Sequence, residues 1–193
     1  MDLIDRLDAL RERWNVLRHP FYVRWERGEL TRDELGVYAG QYRSAVAALA
    51  EAAAAAGDPD HAAEEAAHVA LWDEFAAAVD APADAEASPE TSVCTEAWSG
   101  AADRLEADAI LYALESSQPA IARTKLEGLV THYGFRGDEP ATEYFRVHAV
   151  RDHEHAERAR TALADAKPAD ADRLAAKAEA ALQGNWTLLD GVS

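Results

Sequence analysis

From Glu139 to about Asp165 the chain repeats apolar residues at helical spacing, and the stripe is interrupted by His148, Asp152 and His155. At about 100° per residue these three fall within roughly 60° of one another. The same face carries Ala141, Tyr144, Phe145, Ala159 and Leu163. Two imidazoles and a carboxylate are therefore centred on the side a helix turns toward a core. An unpaired buried carboxylate costs several kcal/mol, comparable to the net stability of a whole domain. Such a helix needs a partner for these groups, and a metal ion is the simplest one.

The rest of the chain reads as helix as well. Alanine is abundant, while only 10 Gly and 7 Pro occur in 193 residues, and no strand alternation persists anywhere. Amphipathic helices are expected over residues 2–18, from the Thr31/Glu34 capping box to about Ala56, over 60–79, over 101–117, from Pro119 to Tyr133, over 139–165 and over 169–183. Short helical pieces are expected in the HPFYVRWERGEL stretch and from Cys94 to Gly100. The fold class is all-α, a bundle of roughly seven or eight helices, with residues 1–193 expected as a single domain.

Charge and cysteine usage limit the partners. The 19 Lys and Arg stand against 36 Asp and Glu, a formal net charge of −17. Such a surface repels nucleic acid and anionic membranes, so neither is expected as a partner. Only Lys125, Lys167 and Lys177 are lysines. An acidic, lysine-poor surface suits a salt-rich cytoplasm, a halophilic habit. Cys94 is the single cysteine, which excludes an internal disulfide and fits a reducing compartment. The N-terminus has no apolar export run, and no stretch elsewhere is long and apolar enough to span a bilayer. A cytoplasmic location is expected.

Two further helices offer ligands. Glu64 and His68 lie four apart and share a face with Leu71 and Phe75. Glu65 points roughly 100° away, toward a polar flank, so Glu64 is the preferred carboxylate. His61, near the same stripe, is a lesser candidate. Glu115 follows Leu111 and Tyr112 on an apolar ridge. Taken singly, a Glu-x-x-x-His pair is ordinarily a surface ion pair, and His-x3-Asp-x2-His a hydrogen-bonded cluster. The combination of Glu64, His68, Glu115, His148, Asp152 and His155 suits two metal ions, iron or a manganese–iron pair, with zinc as a further option. Open positions on iron then activate dioxygen.

The segments HPFYVRWERGELTRDELGVYAGQY, EEAAHVALWDEF, LYALESSQPAIARTKLEGLVTHYGF and YFRVHAVRDHEHA resemble the heme-oxygenase-like superfamily. Within it, the chain resembles the family of the Chlamydia protein associating with death domains, with its bacterial and archaeal relatives. The resemblance implies the helical bundle of the thiamine-salvage and pyrroloquinoline-quinone enzymes. It also implies an oxygen-dependent dimetal enzyme that makes 4-aminobenzoate for folate, drawing on dioxygen and an external reductant. The tyrosine of the family's Phe-Tyr-Val-x-Trp motif maps to Tyr22, the implied ring source. The lysine of its Ile-Ala-Arg-x-Lys motif maps to Lys125, implied in amination. A homodimer is compatible with the fold.

The residues themselves single out the same pair more weakly. Lys125 sits among Ile121, Leu126 and Leu129, where desolvation lowers an amine's pKa; its bland reading is a stem that covers apolar surface. Tyr22, between Phe21 and Trp25, would ordinarily be packing. Three rival functions remain. A thiamine-salvage hydrolase requires a cysteine nucleophile, and Cys94 is poorly placed for that role. A dimetal oxidase acting on an external small molecule would leave Tyr22 structural. A non-enzymatic protein would dock partner helices.

Overall fold

The computed structural model describes residues 2–82, 84–164 and 166–193, apart from the side chains of Arg151 and Asp152. Among the described residues there are nine α-helices and no strand. They are α1 (Leu3–Arg13), α2 (Pro20–Glu26), α3 (Arg32–Ala55), α4 (Pro59–Ala78), α5 (Pro89–Ser99), α6 (Arg104–Glu115), α7 (Gln118–His132), α8 (Pro140–Ala164) and α9 (Ala171–Asp190).

Local chemistry explains most boundaries. Thr31 caps α3 and Glu34 reaches back to the Thr31 amide, the expected capping box. Asp58, Ser88 and Asp103 each accept a backbone N–H at the start of α4, α5 and α6. The N-terminal helix is shorter than expected. Trp14 ends α1, and Asn15 caps a separate 3-10 turn over Val16–Arg18 by accepting from the Leu17 amide. In the other direction, Ser88 with Pro89 starts α5 well before Cys94. The terminal GNWTLLD segment continues α9 without a break.

Helix α6 is buried along nearly its whole length and packs on α3, α8 and α9. Helix α4 lies between α3 and α8, and α7 packs along the other side of α8. The α8 stripe is core as read from the sequence: Ala141, Tyr144, Phe145, His148, His155, Ala159 and Leu163 are all buried. The Asp152 side chain lies outside the described residues. No helix among the described residues is long and apolar enough to cross a membrane.

Candidate metal centre and lysine cage

Helices α4, α6 and α8 bring four of the six predicted ligands, His68, Glu115, His148 and His155, into one buried region, with Glu65 in place of Glu64 and the lesser candidate His61 added. On α4 the buried residues are His61, Glu65, His68, Trp72 and Phe75. Their spacing alternates four and three, so they form one face. Glu65 is 1 % exposed, whereas the Glu64 side chain is 25 % exposed at the rim, with Oε2 3.5 Å from His155 Nε2. The preference for Glu64 over Glu65 is therefore reversed by the geometry. The physical reason is the anchor: Trp72 rather than Leu71 faces the core, and aligning on Trp72 rotates the stripe onto Glu65 and His61.

Two groups of ligand-type atoms result, each gathered within 4.8 Å: His61, Glu65, Glu115 and His155, and beside them Glu65, His68 and His148. Glu65 belongs to both. His61 Nε2 stands 2.8 Å from Glu115 Oε1 and 3.7 Å from Glu65 Oε1. His68 Nδ1 is 3.2 Å from Glu65 Oε1, and His155 Nδ1 is 3.9 Å from it. The rings of His61 and His155 are 3.8 Å apart, those of His68 and His148 4.6 Å.

Close as they are, both oxygens of Glu65 and Nδ1 of His68 and His155 make no hydrogen bond of ordinary alignment. Carboxylate oxygens and imidazole nitrogens gathered this closely form a donor set that a cation can satisfy. Burial lowers His61, but Glu115 and Glu65 outweigh it and hold the imidazole above its usual range. His155, pulled down by burial and by the charge of His61, falls to about 4 and stays a neutral donor at pH 7. Burial raises the Glu65 carboxyl, but His68, His148 and His61 outweigh it and keep the group ionised. Neutral imidazole and ionised carboxylate are the forms that ligate metals. The donor set fits iron, manganese or zinc.

A second polar group is sealed in the aromatic core. Lys125, on α7, is 2 % exposed. Its Nζ donates to Tyr38 Oη at 2.7 Å, and Tyr38 Oη lies 2.9 Å from Tyr22 Oη. The ammonium position is also 4.9 Å from the centre of the Tyr22 ring, 4.7 Å from Tyr42 and 5.9 Å from Trp72. Burial draws the Lys125 pKa down to about 7, so the free amine is present at neutral pH. Burial raises the Tyr22 and Tyr38 phenols, which stay protonated. Sequence reasoning named Tyr22 and Lys125 but missed Tyr38, whose position one turn beyond Thr31 and Glu34 on an apolar face gave no sign beyond packing.

The cage and the His/Glu cluster are joined by rings. Tyr38 and Trp72 lie 5.8 Å apart, Trp72 and Tyr144 4.8 Å, and Tyr144 and His148 4.2 Å. Residues 38–186 match the model of a family described as iron-containing redox enzyme. The chain belongs to that family. It is an oxidoreductase, and its family relationship agrees with a buried His/Glu cluster able to hold metal. A protein from Chlamydia muridarum named 4-aminobenzoate synthase is 26 % identical across 98 % of this chain and 89 % of its own length. One of the same name from Nitrosomonas europaea is 32 % identical across 97 % and 89 %. These relatives place the chain in the 4-aminobenzoate synthase branch of the heme-oxygenase-like superfamily. The fold agrees. A TenA homologue from Pseudomonas syringae pv. tomato superposes with a TM-score of 0.78 at 16 % identity, over 98 % of this chain and 90 % of that one.

Proposed function

We propose that this enzyme is a 4-aminobenzoate synthase that uses its own Tyr22 as the ring precursor and Lys125 in amination. The observation that carries the reading is the sealed Lys125–Tyr38–Tyr22 chain of polar atoms, tied by aromatic rings to the metal-type cluster. A buried lysine opposite two buried phenols is costly, and packing alone gives no reason to keep it.

His61, Glu65, Glu115 and His155 would hold one ion, and Glu65, His68 and His148 the other, with Glu64 at the rim. Bound there, iron or a manganese–iron pair would supply oxidising power from dioxygen and an external reductant. The chain's own contribution is positional. Burial keeps the Lys125 amine unprotonated in part at neutral pH, as a nitrogen nucleophile requires. Tyr38 receives the Lys125 proton donor on one side and meets the Tyr22 hydroxyl on the other, which fixes the two reacting side chains in register. The rings of Phe21, Trp25 and Tyr42 pack round this group and exclude water.

Such an enzyme consumes its own side chain and turns over about once per molecule. Tyr22→Phe is expected to abolish 4-aminobenzoate while leaving metal content unchanged, measured by product chromatography and elemental analysis on one preparation. Product at the wild-type yield from that variant rejects self-sacrifice. The hydrolase reading finds less support here. Cys94 is fully buried and burial raises its thiol pKa, the opposite of a reactive thiolate.

A further inference from the structure

The His/Glu cluster is closed at one end and thin at the other. Behind His68 and His148 stand Tyr144, 4.2 Å from the His148 ring, and Trp72, 4.8 Å from Tyr144. At the other end α4, α6 and α8 leave a hollow of about 750 Å³, adjoining a second of about 450 Å³ between α4 and α8; His61 and His155 line both. The wall there is one imidazole thick. His155 Nε2 lies 3.5 Å from Oε2 of Glu64 at the rim, and His155 Nδ1 lies 3.9 Å from Glu65 Oε1 and 4.0 Å from Glu115 Oε1 inside. Among the described residues, the hollows are lined by the carboxylates of Asp58, Asp60, Glu64, Asp108, Glu154 and Glu157, against the guanidiniums of Arg104 and Arg158. Arg158 is already held by Asp58 at 2.8 Å, and Arg104 Nε faces Asp108 Oδ2 at 3.8 Å.

A concave surface with this surplus of negative charge concentrates cations and speeds their arrival. Charge alone names no destination, but two buried groups do. Asp108 lines the larger hollow and is 5 % exposed, and its Oδ2 makes no hydrogen bond. At the inner end, His155 Nδ1 makes none either and belongs to a group of four ligand-type side chains. We propose that these hollows are the entry route for divalent metal ions, gathered by Asp108, Glu154 and Glu157 and passed by Glu64 beside the His155 ring to Glu65 and Glu115. Such a route presupposes the metal reading above and deepens it. Carboxylates screened by water hold an ion weakly, so the route governs how fast the cluster fills and not how much metal it finally holds.

The test is the rate at which the full chain, stripped by a chelator, takes up cobalt(II). Stopped-flow absorption follows imidazole and carboxylate replacing water on the ion, and elemental analysis gives the final content. At low salt, Asp108→Asn/Glu154→Gln/Glu157→Gln should load about tenfold more slowly than the wild type and reach the same content. Glu154→Gln/Glu157→Gln changes only exposed side chains, so folding is not at stake, and it should load at an intermediate rate. Arg104→Gln, which removes a positive charge from the route, should load faster. Asp84→Asn/Glu86→Gln/Glu96→Gln removes three exposed carboxylates in and before α5, which packs on α3 and α9, and should load at the wild-type rate. Added NaCl should slow the wild type and narrow its lead over the slow variant. Equal rates for the wild type and both cleft variants, or an equal slowing by the α5 substitutions, overturn the route and leave the metal reading standing. A wild-type chain that takes up neither cobalt(II) nor ferrous iron overturns the metal reading, and the route with it.

Discussion

At the scale of single residues, Lys125 makes the sharpest physical statement. Burial lowers its pKa to about 7, while in the unfolded chain it titrates near the ordinary value for an amine. Between about pH 7 and pH 10 the unfolded chain binds more protons, so stability rises with pH across that window. The penalty still present at neutral pH is on the order of 4 kcal/mol. Above pH 10 the raised Tyr22 and Tyr38 phenols act in the opposite direction, because the unfolded tyrosines ionise first. Lys125→Met is expected to flatten the rise between pH 7 and pH 10, measured by urea unfolding at several pH values; parallel curves for the two proteins reject a desolvated amine. The sequence made this residue noticeable because lysine is rare in a chain that otherwise uses arginine. Its hydrogen bond to Tyr38 was illegible, since the two are brought together by α3 and α7 only in the folded bundle.

At the scale of elements, the lesson lies in the register of α4. The stripe on α8 was legible because Tyr144, Phe145, Ala159 and Leu163 fix its direction from both ends. On α4 two apolar residues compete, Leu71 and Trp72, adjacent in sequence and about 100° apart on the helix. Choosing Leu71 points Glu64 inward; the larger Trp72 wins the core, its indole donating to the Ala39 carbonyl at 2.7 Å, and Glu65 turns in with His61. Weighting the stripe by the size of the side chain would have found both. Helix contact is equally tight at Gly128 on α7. A Cβ there would sit 2.6 Å from Trp25 Cδ1, and Trp25 Nε1 donates to the Lys125 carbonyl at 3.1 Å. Gly128→Ala is therefore expected to cost about 1–3 kcal/mol and to loosen the cage, seen as a lower urea midpoint. An unchanged midpoint contradicts this packing of α2 on α7.

At the scale of the whole molecule, a net charge of −17 is spread over a small bundle. Self-repulsion of that size weakens as salt screens it. The thermal midpoint is expected to climb as NaCl is raised from millimolar to molar, and a midpoint indifferent to salt rejects the halophilic expectation. Inside that shell, α4, α6 and α8 crowd ionised Glu65 against four imidazoles, an arrangement that a bound cation stabilises and that binds the folded chain alone. The most direct test of this account is the metal content of protein loaded anaerobically with ferrous iron and freed of excess. The wild type should hold about two ions per chain and Glu65→Gln about one or fewer, because Glu65 is common to both ligand groups. A wild-type chain that retains no iron, or a Glu65→Gln chain that retains as much as the wild type, contradicts it.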